Sequence, residues 1–353
     1  MLYQTRHNTT ANKPKLLNLK NIMLISQIKK YNSVSIVGMA KNTGKTTCLN
    51  YVISKLNNEN CKLAVTSIGV DGEEKDILYN TLKPRITLHT GNIFVTSERH
   101  FNEKELDAKI IHISKQQTAL GKLITAEALS TGKVILSGPS NSELMLEYIE
   151  KIKTLNVALT LIDGALNRLS LASPSITDAL VLCTGAACSI KLDQLIKKVK
   201  YQSELINIEK IDDVILSNIN NIKTGVWAVN DNEIIKLSDS LFTINIDTKT
   251  LQGIKNIYIA GALTDNFIKE LIRKKNNNLT IIVRDFSCIF LSIQSYYNFI
   301  RRGGKIKVKQ SANLIAICSN PTSPDGYNYD PLELRLALES ELNIPVYDIL
   351  KTE

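Results

Sequence analysis

The stretch GMAKNTGKTT, Gly38 to Thr47, decides the reading of this chain. It ends as a phosphate-binding loop ends, with Gly-Lys-Thr, but it begins differently. The common motif sets four residues between its first glycine and the Gly-Lys pair. Here Met39, Ala40, Lys41, Asn42 and Thr43 separate Gly38 from Gly44. The flanks supply context. SVSIVG (33–38) is a short β-rich run, and TTCLNYVISKL (46–56) carries apolar residues at helical spacing.

A phosphate loop needs a strand that stops abruptly and a turn of small residues that frees backbone N–H groups. It also needs a helix whose N-terminus faces the anion and a lysine that neutralises the β- and γ-phosphates. The sequence offers these parts in order, which makes Gly38, Lys41, Asn42, Thr43, Gly44, Lys45, Thr46 and Thr47 the nucleotide-binding candidates. Gly44 lets the backbone approach the phosphates. Thr46 is placed to hold Mg²⁺ by its hydroxyl. A second Mg²⁺ ligand is expected at the end of another core strand. LTLIDG (159–164) fits, with Asp163 at its end, so Lys45 and Asp163 are the pair on which catalysis would rest. SIGVDGEEKD (67–76) adds Asp71 as a metal candidate and Glu73 beside it, with a general base or a plain acidic turn as the other readings. No guanine-recognition NKxD-like motif is present, so ATP with Mg²⁺ is the expected ligand.

The whole chain bounds the answer. At 353 residues it holds one large domain or two ordinary ones, and its 44% apolar and 22% charged fractions are those of a globular protein. No apolar run is long enough for a bilayer, and the N-terminus lacks an apolar core followed by a small-residue cleavage site, so a cytoplasmic protein without a membrane partner is expected. The net charge of +9 is local. Nine Lys and Arg and no acid precede Glu59, and the other 34 basic residues match 34 acidic ones. A basic head on a neutral body is a poor footprint for nucleic acid. Six scattered cysteines form no CxxC pair, and Cys183, Cys288 and Cys318 sit in apolar runs as small hydrophobes of a reducing compartment.

Short apolar runs, several ending in glycine, follow the loop: KLAVTSIG (62–69), VILSGP (134–139), VALTLIDG (157–164) and DALVLCTG (178–185). Helical patterns at 142–155 and 190–206 lie between them. Runs apolar on both faces belong to a parallel sheet covered by helices. The expected class is therefore α/β, a P-loop NTPase-like, mostly parallel sheet with helices on both faces. Residues 86–98 and 108–118 read as strands inserted after the second core strand. Residues 1–30 read as a basic extension, 31–206 as the P-loop domain, and 207–353 as a second α/β region, with runs at 256–275, 279–286, 313–320 and 345–350. SGPSNSE reads as a capping box from Ser140 to Glu143, and DPLE (330–333) as a helix start with Asp330 as its cap.

The five-residue gap resembles the dethiobiotin synthetase and cobyrinic acid synthetase branch of P-loop proteins. In the wider group a second loop lysine crosses a homodimer interface to the partner's phosphates. Lys41 is the candidate, one place later than that signature, with a solvated loop lysine as its other reading. Taken together, VGMAKNTGKTT, TSIGVDGE, LIDGALNR (161–168) and NPTSPDGYNYD (320–330) resemble the P-loop subunit of the lysine 5,6-aminomutase reactivase family, over residues from about 33 onward. The resemblance implies an ATP-dependent factor that releases damaged cobalamin from an adenosylcobalamin-dependent aminomutase. It implies two partners, the aminomutase and a second subunit resembling the MutS ATPases. Lys45 and the backbone from Asn42 to Thr46 would bind phosphate, Thr46 and Asp163 would hold Mg²⁺, and residues 207–353 would meet the partners. A dethiobiotin-synthetase-like ligase acting on a small carboxylate and a P-loop scaffold with little hydrolysis are the alternatives.

Overall fold

The computed structural model describes residues 23–59, 61–69, 75–76, 81–82, 85–139, 141–165, 173–230, 233–240, 253–273 and 278–348. The strand Ser33–Gly38 is buried along its whole length and lies between Leu159–Ala165 and Ala179–Gly185, parallel to both. These three form the middle of a nine-stranded sheet. Its order is Val346–Asp348, Leu314–Asn320, Ala179–Gly185, Ser33–Gly38, Leu159–Ala165, Leu63–Ser67, Ile93–Ser97, Gly121–Ala128 and Ala108–Thr118. Val346–Asp348 runs parallel to Leu314–Asn320, and the strands from Ala179–Gly185 across to Ile93–Ser97 are parallel to their neighbours. The last two strands run antiparallel as a hairpin.

Alternation along one strand shows how the sheet is covered. Leu63 and Val65 pack with Leu49, Val52 and Ile53 of the helix Lys45–Asn58. Ala64, between them, packs with Tyr148 and Ile152 of the helix Ser142–Lys153. Successive strand residues point to opposite faces, so helices lie on both faces and the central strands have no solvent side. That is why these strands read as unbroken apolar runs.

Five sequence expectations change. VILSGP is not a core strand: only Gly132–Val134 is extended, and it pairs with Ile86–Leu88 in a separate two-stranded ribbon. Ser137 N–H donates to the Val95 carbonyl at 3.3 Å, and an added Cβ at Gly138 would lie 1.7 Å from the Ser67 carbonyl oxygen, so the segment is packed tightly against the strand ends without joining the sheet as a strand. The strand Gly121–Ala128 was not expected, and it pairs with both of its neighbours. The cap of the helix at 142–153 is Asn141, whose Oδ1 accepts from the Leu144 N–H at 2.9 Å. The boundary near residue 206 also changes. The chain divides into one unit of Met1–Leu171, Ile176–Ile196 and Ile315–Glu353, and another of Ala172–Ser175 and Lys197–Leu314. The strands Leu314–Asn320 and Val346–Asp348 return to the first sheet, so region 207–353 is not one body. At the other end, Leu24, Ile25 and Ile28 are buried in the first core, which therefore starts before residue 31.

Asp330 caps its helix as expected, accepting from the N–H groups of Leu332 and Glu333 at 2.9 and 2.8 Å. The second unit has its own five-stranded sheet, ordered Ile234–Ser238, Val226–Val229, Asn256–Ile259, Thr280–Val283 and Lys305–Val308. The last three are parallel. Phe267, Leu271 and Phe299 pack with Ile257, Ile281 and Ile306 in its core. Among the described residues no helix is long and apolar enough to cross a membrane.

Candidate functional site

The parallel strands of the first sheet end together, and ligands of open α/β sheets collect at such carboxyl ends. Ser33–Gly38 stops at Gly38, where an added Cβ would stand 2.8 Å from Thr43 Oγ1. The loop folds that tightly because Thr43, 2% exposed, turns its hydroxyl back to donate to the Ala40 carbonyl at 3.0 Å. Met39 N–H donates to the Cys183 carbonyl at 2.9 Å and carries the strand's pairing one residue into the loop. Asn42 and Gly44 have φ of 61° and 81°. Left-handed residues on either side of Thr43 are the backbone habit of anion-binding concavities. Gly44 is the N-cap of the helix Lys45–Asn58 and supplies no side-chain cap. The first N–H groups of that helix therefore lack a capping side chain, and the first turn holds no acid to compete with an anion.

Lys45, the first helical residue, reaches across the strand ends. Its Nζ lies 2.6 Å from Asp163 Oδ1, with the side chains 25% and 17% exposed. Register explains the meeting: Ile36 and Asp163 are paired residues on adjacent strands, so the acid sits two residues below the point where the loop begins. Asp163 Oδ1 is buried and accepts no well-angled hydrogen bond, so its contact with Lys45 is one of charge. The Asp163 carbonyl accepts from Ile68 N–H at 2.9 Å, and Gly69 N–H donates to the Pro139 carbonyl at 2.9 Å. These bonds hold the segment after the second core strand beside the acid. Thr46 is half-buried, while Lys41, Asn42 and Thr47 are exposed. Asp71, Glu73 and residues 166–168 lie outside the described residues.

The structure adds a residue that the sequence did not single out. Asn320, at the end of the returning strand, donates from Nδ2 to the Asn42 carbonyl at 3.0 Å. Its Oδ1 accepts from Thr322 N–H and Thr322 Oγ1 at 3.0 and 2.7 Å. An added Cβ at Gly44 would come within 3.2 Å of Asn320 Cβ, so loop and strand end are in contact. Beyond Asn320, the Tyr327 and Tyr329 hydroxyls donate to the carbonyls of Ala186 and Ser189. The turn-rich segment 320–329 is thus pinned at both ends, and its tyrosines are anchors. The only local signal was an Asn-Pro step after an apolar run.

No family model matches the chain, and no curated protein matches it. Backbone N–H groups at an uncapped helix N-terminus suit an anion. A cavity of about 860 Å³ belongs to the second unit and is lined by Gly261, Phe267, Glu270 and Arg273 among others, none from the loop.

Proposed function

We propose that the first unit binds ATP with Mg²⁺ through Gly38–Thr47, and that the chain is the ATP-binding component of a reactivating factor for lysine 5,6-aminomutase. One observation carries the binding half: Lys45 stands at the first turn of an uncapped helix, behind a left-handed Gly44, 2.6 Å from a strand-end carboxylate. In this reading the N–H groups of the loop and first turn hold the phosphates. The Lys45 ammonium exchanges Asp163 for phosphate oxygens. Thr46 and Asp163 are the groups that fit Mg²⁺, since Asp163 Oδ1 is a buried acceptor without an aligned donor. Asp71 joins them on sequence grounds alone. Bound Mg²⁺ would withdraw charge from the phosphate oxygens as the terminal phosphoryl group leaves.

The reactivase half rests on the four stretches quoted above. What supports it is that their described parts meet: Lys45 pairs with Asp163, Ile68 with Asp163, and Asn320 with Asn42. Nucleotide-dependent ordering of such segments is the usual way a phosphate site drives a partner. The MutS-like subunit and the aminomutase are the proposed partners. The partner-facing stretch narrows to Lys197–Leu314, since Ile315–Glu353 belongs with the site.

Calorimetric titration of Mg²⁺-ATP and Mg²⁺-GTP into the wild type and Lys45→Ala tests the first half. ATP binding that is lost in the variant supports the site. Reconstitution with cobalamin-inactivated aminomutase and the MutS-like partner tests the second. ATP binding without recovered mutase activity would keep the nucleotide site and discard the client, and no ATP binding with or without the partner would discard both.

A further inference from the structure

Beneath the loop lies a feature the nucleotide reading does not use. Cys48, Cys183 and Cys318 place their sulfurs within 4.8 Å of one another, and all three are buried. The Cys48 and Cys318 sulfurs are 3.5 Å apart. The residues come from three elements: the first turn of the helix Lys45–Asn58, the strand Ala179–Gly185 and the strand Leu314–Asn320. Three sulfurs bound to one ion at about 2.3 Å lie about 4 Å from each other, so little movement would bring these to ligating distance. Three thiolates form a soft donor set, which selects Zn²⁺ or Cu⁺ over Mg²⁺ or Ca²⁺.

We propose that Cys48, Cys183 and Cys318 form a three-thiolate site for a thiophilic d¹⁰ cation, Zn²⁺ or Cu⁺, set under the nucleotide loop. Hydrogen bonds within the cluster hold the Cys183 thiol down, helped by the charge of Lys45, while the bond to Cys183 and burial push the Cys48 and Cys318 thiols up, so a bound ion must displace their protons. Each sulfur that bonds the ion gives its proton to solvent. The site is also tied to the loop. Cys48 N–H donates to the Gly44 carbonyl at 2.9 Å, the Cys183 carbonyl accepts from Met39, and Cys318 stands two residues before Asn320. An ion there cross-links the helix and both strands that hold the loop's shape. Because the sulfurs are shut off from solvent, uptake is expected to be slow in the folded protein and faster during refolding.

The test uses the full chain, reduced and oxygen-free, refolded from urea with Co²⁺ as a spectroscopic probe and then challenged with Zn²⁺ or Cu⁺. The expected result is one Co²⁺ per chain with an intense sulfur-to-metal absorption in the near ultraviolet. Zn²⁺ or Cu⁺ would displace it, and whichever does so at the lower concentration names the preferred ion. Melting temperature would rise on loading. Cys318→Ala and the near-isosteric Cys183→Ser would each abolish the band, while Cys61→Ser and Cys288→Ser would keep it. If a variant does not fold, the other decides. No stoichiometric metal in the wild type, or a band unchanged in Cys318→Ala and Cys183→Ser, overturns the site and leaves the three thiols as small core side chains. Either result is independent of whether the loop binds ATP.

Discussion

The Asn320 side chain donates to the Asn42 carbonyl at 3.0 Å, joining residues 278 positions apart in sequence. Asn320 is 9% exposed, and its amide is engaged on both sides. Asn320→Ala is expected to cost about 1 kcal/mol of stability and to weaken nucleotide binding about tenfold or less, since the backbone of the loop loses its tether. Titration calorimetry reads the second effect. Unchanged affinity would mean that the loop holds its shape without this bond.

Lys45 and Asp163 should be coupled. Removing the lysine leaves a carboxylate whose Oδ1 is buried without a donor. Lys45→Ala is therefore expected to be less stable than Lys45→Ala combined with Asp163→Asn. A double-mutant cycle by urea unfolding should return about 0.5–3 kcal/mol. Additive losses would show that the 2.6 Å contact contributes nothing in solution.

Gly185 is packed where no side chain fits, because an added Cβ would lie 1.9 Å from the Asn320 carbonyl oxygen. Gly185→Ala must displace the strand end that carries Asn320. A loss of about 1–3 kcal/mol is expected, together with weaker nucleotide binding. Thermal melts and titration of the same sample check both, and a melt equal to wild type would contradict the packing described.

In the second unit, Asp265 has its carboxyl held below the ordinary aspartate value. Burial works the other way, and it is outweighed by hydrogen bonds from the Ser292 backbone and the Ser292 and Ser295 hydroxyls, and by the charge of Lys269. The Ser292 N–H donates to it at 2.8 Å. A lowered folded pKa gives stability that is present above the unfolded value, about pH 4, and is lost as pH falls through the folded one. Asp265→Asn is expected to cost about 1 kcal/mol at pH 7, with the gap to wild type closing as pH falls below about 4. A gap that stays constant across this range would remove the carboxylate's charge from the account.

Much of the first sheet was legible because its signals are local. Ser33–Gly38, Lys45–Asn58 and the Asp330 cap each declare themselves within about a dozen residues, through apolar runs, helical spacing and a capping side chain. VILSGP misled because a short apolar run does not say whether its ends are free to pair, and Gly138 needs the room it would lose in a strand. Gly121–Ala128 was missed because its turn, with Gly121 at φ 89°, carries no Asn-Gly or Asp-Gly signal. Asn320 and the place of Cys318 beside Cys48 and Cys183 were hidden for a different reason. Both depend on a late strand rejoining the sheet, and no local pattern reports which edge a distant strand will choose.

That return has a consequence for how the molecule is made. A ribosome delivers Gly38–Thr47 early, then all of Lys197–Leu314, and only afterwards the strand that ends in Asn320. The inserted unit carries a separate core and can condense while the nascent loop still waits for its tether. Contacts spanning nearly three hundred residues close last because their loop entropy must be met first. The loop edge is thus expected to be the final part of the first sheet to mature, and a chain halted before Leu314 would display Gly-Lys-Thr without the strand that shapes it.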